Sequence, residues 1–365
     1  MPDKMQLLSF DNLTQRILYR YTFTFADFVP IESDAVSVDA QRTFHDFCGS
    51  VVRGIFDDPS LLGLLTDHQD AWLEHGLLNM YPTIYKVRNM TQKAFCDLSG
   101  FLFAAGLHGK IYDERFIVRQ DDLPKLTGKM LMLYIKLFER YGMFMEKDDG
   151  KLSFLFPDCQ DIFTAWRLLA EKCGTFQDRP KEQAVRFMLW VHNDDATYFL
   201  ERIRILLGLD EGFFNYIAKK YQTNGYKAKF VINEYGTHCL YSKDVGGLLI
   251  GFFTLNRTVR FVNDTCIGIK KALEHADELN PDIKRQIVQF CKPCNDCMGC
   301  TKGGKNKQFS VTVHLENGEH RLCPEFVQME WYNGDISTEK IDFMFELNEL
   351  QEKFGKNWKK MKRVL

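Results

Sequence analysis

Cys291, Cys294, Cys297 and Cys300 follow one another at constant two-residue intervals, and Cys323 stands further on, directly before Pro324. Thiolates are soft ligands, and four of them brought together form the donor set for a tetrahedral zinc ion or an iron-sulfur cluster. Cys294, Cys297 and Cys300 share their stretch with Pro293, Asn295, Asp296 and Gly299. Those are turn-forming residues, which offer three thiols no apolar core to fill. Cys291 follows Ile283 and Ile287 at helical spacing, so it reads as a small core residue and as the replacement ligand. The expected set is therefore Cys294, Cys297, Cys300 and Cys323, with Cys291 in reserve.

Cys323 enters that set through a hairpin. With Asn317-Gly318 as a two-residue turn, Leu315 pairs with His320, Val313 with Leu322, and Thr312 with Cys323. Val311, Val313, Leu315 and Leu322 then share an apolar face, and Cys323 lies on the other, where it is not core filler. The same alternation turns His320 away from Cys323 and disfavours it as a ligand. Four thiolates on one Zn2+ leave an excess of negative charge that Lys292, Lys302, Lys305 and Lys307 are placed to offset. Such a zinc would tie loop to hairpin where apolar burial is small.

Three cysteines at this spacing with a remote Cys-Pro also resemble the ligand pattern of one cubane in bacterial ferredoxins. The resemblance covers only Cys294, Cys297, Cys300 and Cys323-Pro324, and it implies a 4Fe-4S cluster as the alternative cofactor. No redox partner site accompanies it, so structural zinc is the preferred reading.

Other motifs carry less. Gly299 to Lys305 matches the opening of a phosphate-binding loop, but Asn306 stands where Mg2+ needs a hydroxyl, and the segment leads into a hairpin rather than a helix. His275-Ala-Asp-Glu278 lacks the second histidine of a zinc protease helix. His45 and Cys48 have helical spacing among Phe44 and Phe47, which suits core residues better than a nucleophile pair. No catalytic residue is nominated, and an enzyme is not favoured.

The elements that must position these residues follow from periodicity. Apolar residues recur at three- and four-residue spacing over 160–172, 181–192 and 196–207, predicting helices. A helix over 126–141 precedes alternating apolar residues around Asp149-Gly150, a hairpin signal. Helix then hairpin is the order of a winged helix, so 121–157 is a candidate DNA-binding segment. Against it, the helix is apolar on two adjoining stripes, and Asp121 and Asp122 stand just upstream. Nucleic acid is therefore not a favoured partner.

After Gln222-Thr-Asn-Gly225 the period changes to short strands at 229–233, 237–241, 247–255 and 258–262, an antiparallel meander. Helices are expected over 263–277, 281–290 and 338–354. The fold class is thus mixed: a mainly helical domain over 1–222 with one β-hairpin, then an α+β domain over 223–365 carrying the Cys-rich metal site at 291–323.

The chain has 365 residues and a formal net charge of -2, enough length for two cores and too little charge for a general polyanion binder. A basic run from Lys353 to Arg363 reads as a solvated helix end. Met1 to Phe10 lacks the apolar run of a signal peptide, and the apolar stretch at 245–255 is too short to cross a bilayer. A cytoplasmic, metal-binding protein with a binding or regulatory role, no membrane contact and an unidentified ligand or protein partner is the expectation. In a reducing compartment the 11 cysteines would not form a disulfide framework.

Overall fold

A computed structural model describes residues 13–64, 81–193, 196–207, 210–233, 236–243, 246–253, 258–263, 281–290, 311–322, 330–332 and 336–354. The chain divides into two compact units, one formed chiefly by residues up to 194 and the other chiefly by those from 195 onward. The fold is a mixture of helices and antiparallel sheets with a helical N-terminal part.

The first unit contains α1 (Leu13–Thr24), α2 (Val38–Asp57), α3 (Tyr81–His108), β1 (Lys110–Tyr112), β2 (Arg115–Arg119), α4 (Gly128–Arg140), β3 (Phe144–Asp148), β4 (Lys151–Leu155), α5 (Ile162–Gly174) and α6 (Pro180–Met188). Long α3 packs against α1, α5 and α6, and α2 crosses both α1 and α5. Local chemistry fixes the helix starts. The Ser37 hydroxyl accepts from the Ala40 amide ahead of α2, and Thr127 does the same for Met130 ahead of α4. Pro180 opens α6, where its missing amide costs nothing, and the Glu182 carboxylate accepts from the Arg179 amide.

The expected hairpin is present, with Asp149 and Gly150 at φ 35° and 74°, the left-handed pair that a tight two-residue turn requires. It does not stand alone. A second hairpin, β1–β2, joins it in a four-stranded sheet of order β1-β2-β4-β3, correcting the expectation of a single hairpin. Its turn at Asp113-Glu114 contains no glycine, and Asp113 itself takes φ 50°, a conformation aspartate tolerates. Phe116 faces Phe154 and Val118 faces Leu152 across β2 and β4, and all four are buried.

Helix α4 also differs from its expected form. It buries only Tyr134, Leu137 and Phe138, while Met132 is 52% exposed. Of its two apolar stripes, the one formed by Leu131, Tyr134 and Phe138 is largely core, whereas Leu126, Met130 and Leu133 of the other are half-buried. The solvent side carries Lys129, Lys136 and Arg140 together with Glu139, a mixed charge pattern.

The second unit contains α7 (Ala196–Leu207), α8 (Glu211–Thr223), β5 (Lys227–Asn233), β6 (Gly236–Lys243), β7 (Gly246–Phe253), β8 (Thr258–Asn263), α9 (Pro281–Phe290), β9 (Val311–Leu315), β10 (Gly318–Leu322), β11 (Glu330–Tyr332) and α10 (Thr338–Phe354). The meander forms a sheet of order β11-β8-β7-β6-β5, and β9 with β10 forms a separate two-stranded sheet. Helix α10 packs on β7 and α8. Helix α8 belongs with the sheet because its buried stripe, Phe214, Ile217 and Tyr221, meets Phe261, Tyr226, Tyr241 and Phe345. The helix expected over 263–277 falls outside the described residues, apart from Asn263 at the end of β8.

Candidate metal centre

Cys291, Cys294, Cys297, Cys300 and Cys323 lie outside the described residues. The elements that carry them are described. Helix α9 opens with Pro281 and an acidic first turn and ends at Phe290, immediately before Cys291. The chain resumes at Val311 in β9, against which α9 packs. In the β9–β10 hairpin Leu322, the residue before Cys323, pairs with Val311. The cysteine stretch therefore leaves one element packed on the hairpin, and it rejoins the chain opposite the residue that precedes the remote cysteine.

The hairpin register differs from the expected one by two positions. Gly318 pairs with Leu315, His320 with Val313 and Arg321 with Thr312, so Glu316-Asn317 form the turn and Gly318 opens β10 at φ 125°. That φ is ordinary for glycine and strained for other residues. A two-position slip preserves parity, and the face assignment stands: Val313 and Leu322 are buried, while Thr312, His314 and Glu319 are exposed. His314 Nδ1 lies 3.5 Å from Glu319 Oε1 across the strands. His320 pairs with Val313 on the buried face, and its Nε2 lies 3.0 Å from Asn317 Oδ1.

Other cysteines have settled roles. Cys48, Cys173 and Cys239 are buried, and burial pushes the Cys173 and Cys239 thiols up to about 12. Cys48 is raised further by the same cause. Its neighbour His45 is occupied elsewhere, with Nε2 3.0 Å from the Ala26 carbonyl and Nδ1 3.1 Å from Asp46 Oδ1. A thiol held protonated beside an imidazole bound to other groups is not an activated nucleophile. Among the described residues no three His, Cys, Asp or Glu side chains converge in a way that could hold a metal ion.

One titratable cluster is invisible to spacing arguments. On α8 the Tyr216 hydroxyl and the Lys220 ammonium both donate to Asp342 Oδ1 on α10, more than a hundred residues away in sequence. Burial lowers the Lys220 pKa and raises those of Asp342 and Glu346, the last partly offset by Lys220. The cluster joins two helices through charge-assisted hydrogen bonds. Only the Tyr216/Lys220 spacing was readable in advance, because the acidic partners arrive through tertiary packing.

No helix among the described residues is long and apolar enough to cross a membrane. No protein-family model matches the chain, and comparison with curated proteins and with solved structures gives no significant match.

Proposed function

We propose that Cys294, Cys297, Cys300 and Cys323 bind one zinc ion as a tetrahedral thiolate site, with Cys291 as the replacement ligand. The metal clamps the cysteine loop to the β9–β10 hairpin in a non-catalytic binding or regulatory protein of the cytoplasm, where thiols stay reduced. The supporting observation is the pairing of Val311 with Leu322 beside α9, which gathers both ends of the cysteine stretch near the strand that leads to Cys323. A donor set of four thiolates with no open position suits a structural ion, whose binding energy is folding energy.

Metal analysis of the purified protein tests this. One zinc per chain, retained through dialysis in colourless protein, is the expected result. The cysteine spacing and Cys323-Pro324 also support a 4Fe-4S cluster. Brown protein absorbing near ~400 nm with acid-labile sulfide would establish that cluster in place of zinc. Protein purified under reducing conditions with no bound metal, and with no affinity for added zinc, would remove both readings.

A further inference from the structure

The connection between α1 and α2 forms neither helix nor strand, yet the first unit grips it at every few residues. The Ala26 amide donates to the Leu189 carbonyl at 2.9 Å, and His45 Nε2 lies 3.0 Å from the Ala26 carbonyl. The Val29 carbonyl accepts from the Trp190 indole at 3.2 Å and lies 2.9 Å from His192 Nε2. At Ile31 the Gln41 side-chain amide closes a two-point pair, accepting from the backbone amide at 2.7 Å and donating to the carbonyl at 3.0 Å. Between these points the Phe28 ring lies 4.3 Å from the Arg42 guanidinium and edge-on to His45 at 5.5 Å. The Phe25 ring stands 4.9 Å from His45, over Gly49, where a Cβ would come within 3.1 Å of it.

These contacts read peptide groups, which every residue carries. A groove holds a peptide in the same way, main-chain bonds supplying affinity and pockets for side chains supplying specificity. Little of the segment itself is buried: Asp27 and Pro30 are exposed, Val29 is 47% exposed, and Phe25 and Phe28 are half-buried. The receiving side, by contrast, is fixed independently. Gln41, Arg42 and His45 stand on α2, whose start Ser37 caps. Trp190 is 1% exposed, packs edge-on to Phe44 and holds φ 59°, a left-handed conformation that is rare for a bulky residue and costs strain. That turn brings the Trp190 indole and the His192 imidazole onto one carbonyl. A fixed groove closed over a weakly buried occupant sets the occupant at the low-stability end of the structure.

We propose that the groove between α2 and residues 189–192 is a peptide-binding site and that residues 25–31 are its built-in competitor. The partner is a protein segment bearing two aromatic side chains three positions apart, as Phe25 and Phe28 are. The site does not depend on the cysteines. Tethering gives the internal strap a high effective concentration, so a partner's apparent affinity is reduced by the fraction of molecules whose strap is released.

A fluorescein-labelled peptide of residues 24–33, titrated into the full-length protein and followed by anisotropy, tests this. The variant F25A/F28A empties both ring positions and leaves the groove side chains in place. It should bind the peptide at least about tenfold more tightly than the parent, and adding Gln41→Ala should remove the gain. Binding no tighter than the parent's, or a gain that survives Gln41→Ala, would overturn the proposal. Should F25A/F28A fail to fold, hydrogen exchange of the parent decides. The hydrogen-bonded amides of Ala26 and Ile31 should exchange by local opening, faster than those of Leu98 and Phe101 in the core of α3 and insensitive to low urea. Exchange at the rate of those α3 amides would show a strap released only by global unfolding, and the proposal would fall.

Discussion

The two units close their cores by different chemistry. In the first, Trp166 is the hub of an aromatic cluster, with ring centroids 5.5 Å from Phe44, 5.2 Å from Phe116, 5.2 Å from Phe154 and 6.4 Å from Phe163. Its indole donates to the Leu102 carbonyl at 2.8 Å, so even the one polar atom of the hub is satisfied by the protein. In the second, Tyr221, Tyr226 and Tyr241 pack with Phe345 between the helices and the sheet, and β9–β10 forms a separate two-stranded sheet against which α9 packs. A two-stranded hairpin is marginal in water unless something else holds it. Buried hydroxyls without a protein partner occur in both units, Tyr134 in the first and Tyr221 in the second, so the units differ in the aromatic hub of the one and the two-stranded hairpin of the other.

Metal removal should widen that difference most. Structural zinc contributes on the order of 10 kcal/mol in small zinc-binding peptides. Under the zinc reading, chelation should abolish hydrogen-exchange protection at Val313, His320 and Leu322, amides of the hairpin ladder, while α3 and α5 keep theirs. Equal protection before and after chelation would show that the hairpin supports itself and that the two units are alike.

Next in size is damage to the aromatic hub. Trp166→Ala should cost the first unit roughly 3–5 kcal/mol through the cavity it leaves. Urea unfolding followed by circular dichroism measures the loss, and zinc stoichiometry should not change. A somewhat smaller effect is expected at Arg186, whose side chain is 1% exposed, with Nε 2.5 Å from Asp178 Oδ2 and the guanidinium 4.7 Å above the Phe176 ring. Asp178→Ala strands a buried charge and should cost about 3 kcal/mol. Adding Arg186→Met should recover much of that cost. Failure to recover would mean that the arginine holds the first unit through its other contacts, so polar as well as apolar groups would close that core.

How far the sequence reveals these differences depends on how local the signal is. Turns with the right residues in the right places were readable: Asp149-Gly150 gave its hairpin, and the strands from β5 to β8 appear within a few residues of their expected limits. The β1–β2 hairpin was missed because Asp113-Glu114 makes the turn without glycine. At β9–β10, Asn317-Gly318 suggested the wrong two-residue turn, since the Gly318 φ of 125° serves the first paired position instead. The facing of the strand survived because side chains alternate with period two, which a two-position slip leaves untouched. Cysteine spacing names the candidate donors. Tyr216 with Asp342, and Tyr221 with Phe345, had no signature, because nothing in a helical stripe says which distant helix it will meet.

The smallest expected effect separates the units by acid. His192 is buried in the first unit, its Nε2 donating to the Val29 carbonyl at 2.9 Å, which also accepts from the Trp190 indole at 3.2 Å. Burial lowers its pKa, Lys172 adds to that effect, and the Val29 carbonyl partly opposes it. The folded state therefore favours neutral imidazole more than the unfolded chain does, whose histidine titrates near ~6.5. This contribution is fully present above that pH and is lost as the pH falls through the folded-state value. Between pH 7.5 and 5.5 the first unit should lose stability, as judged by its urea midpoint. His192→Gln keeps a donor for Val29 without a titrating group, so it should flatten that pH dependence and leave zinc content alone. An unchanged slope in the variant would assign the acid sensitivity to other groups and remove His192 as a distinguishing feature of the first unit.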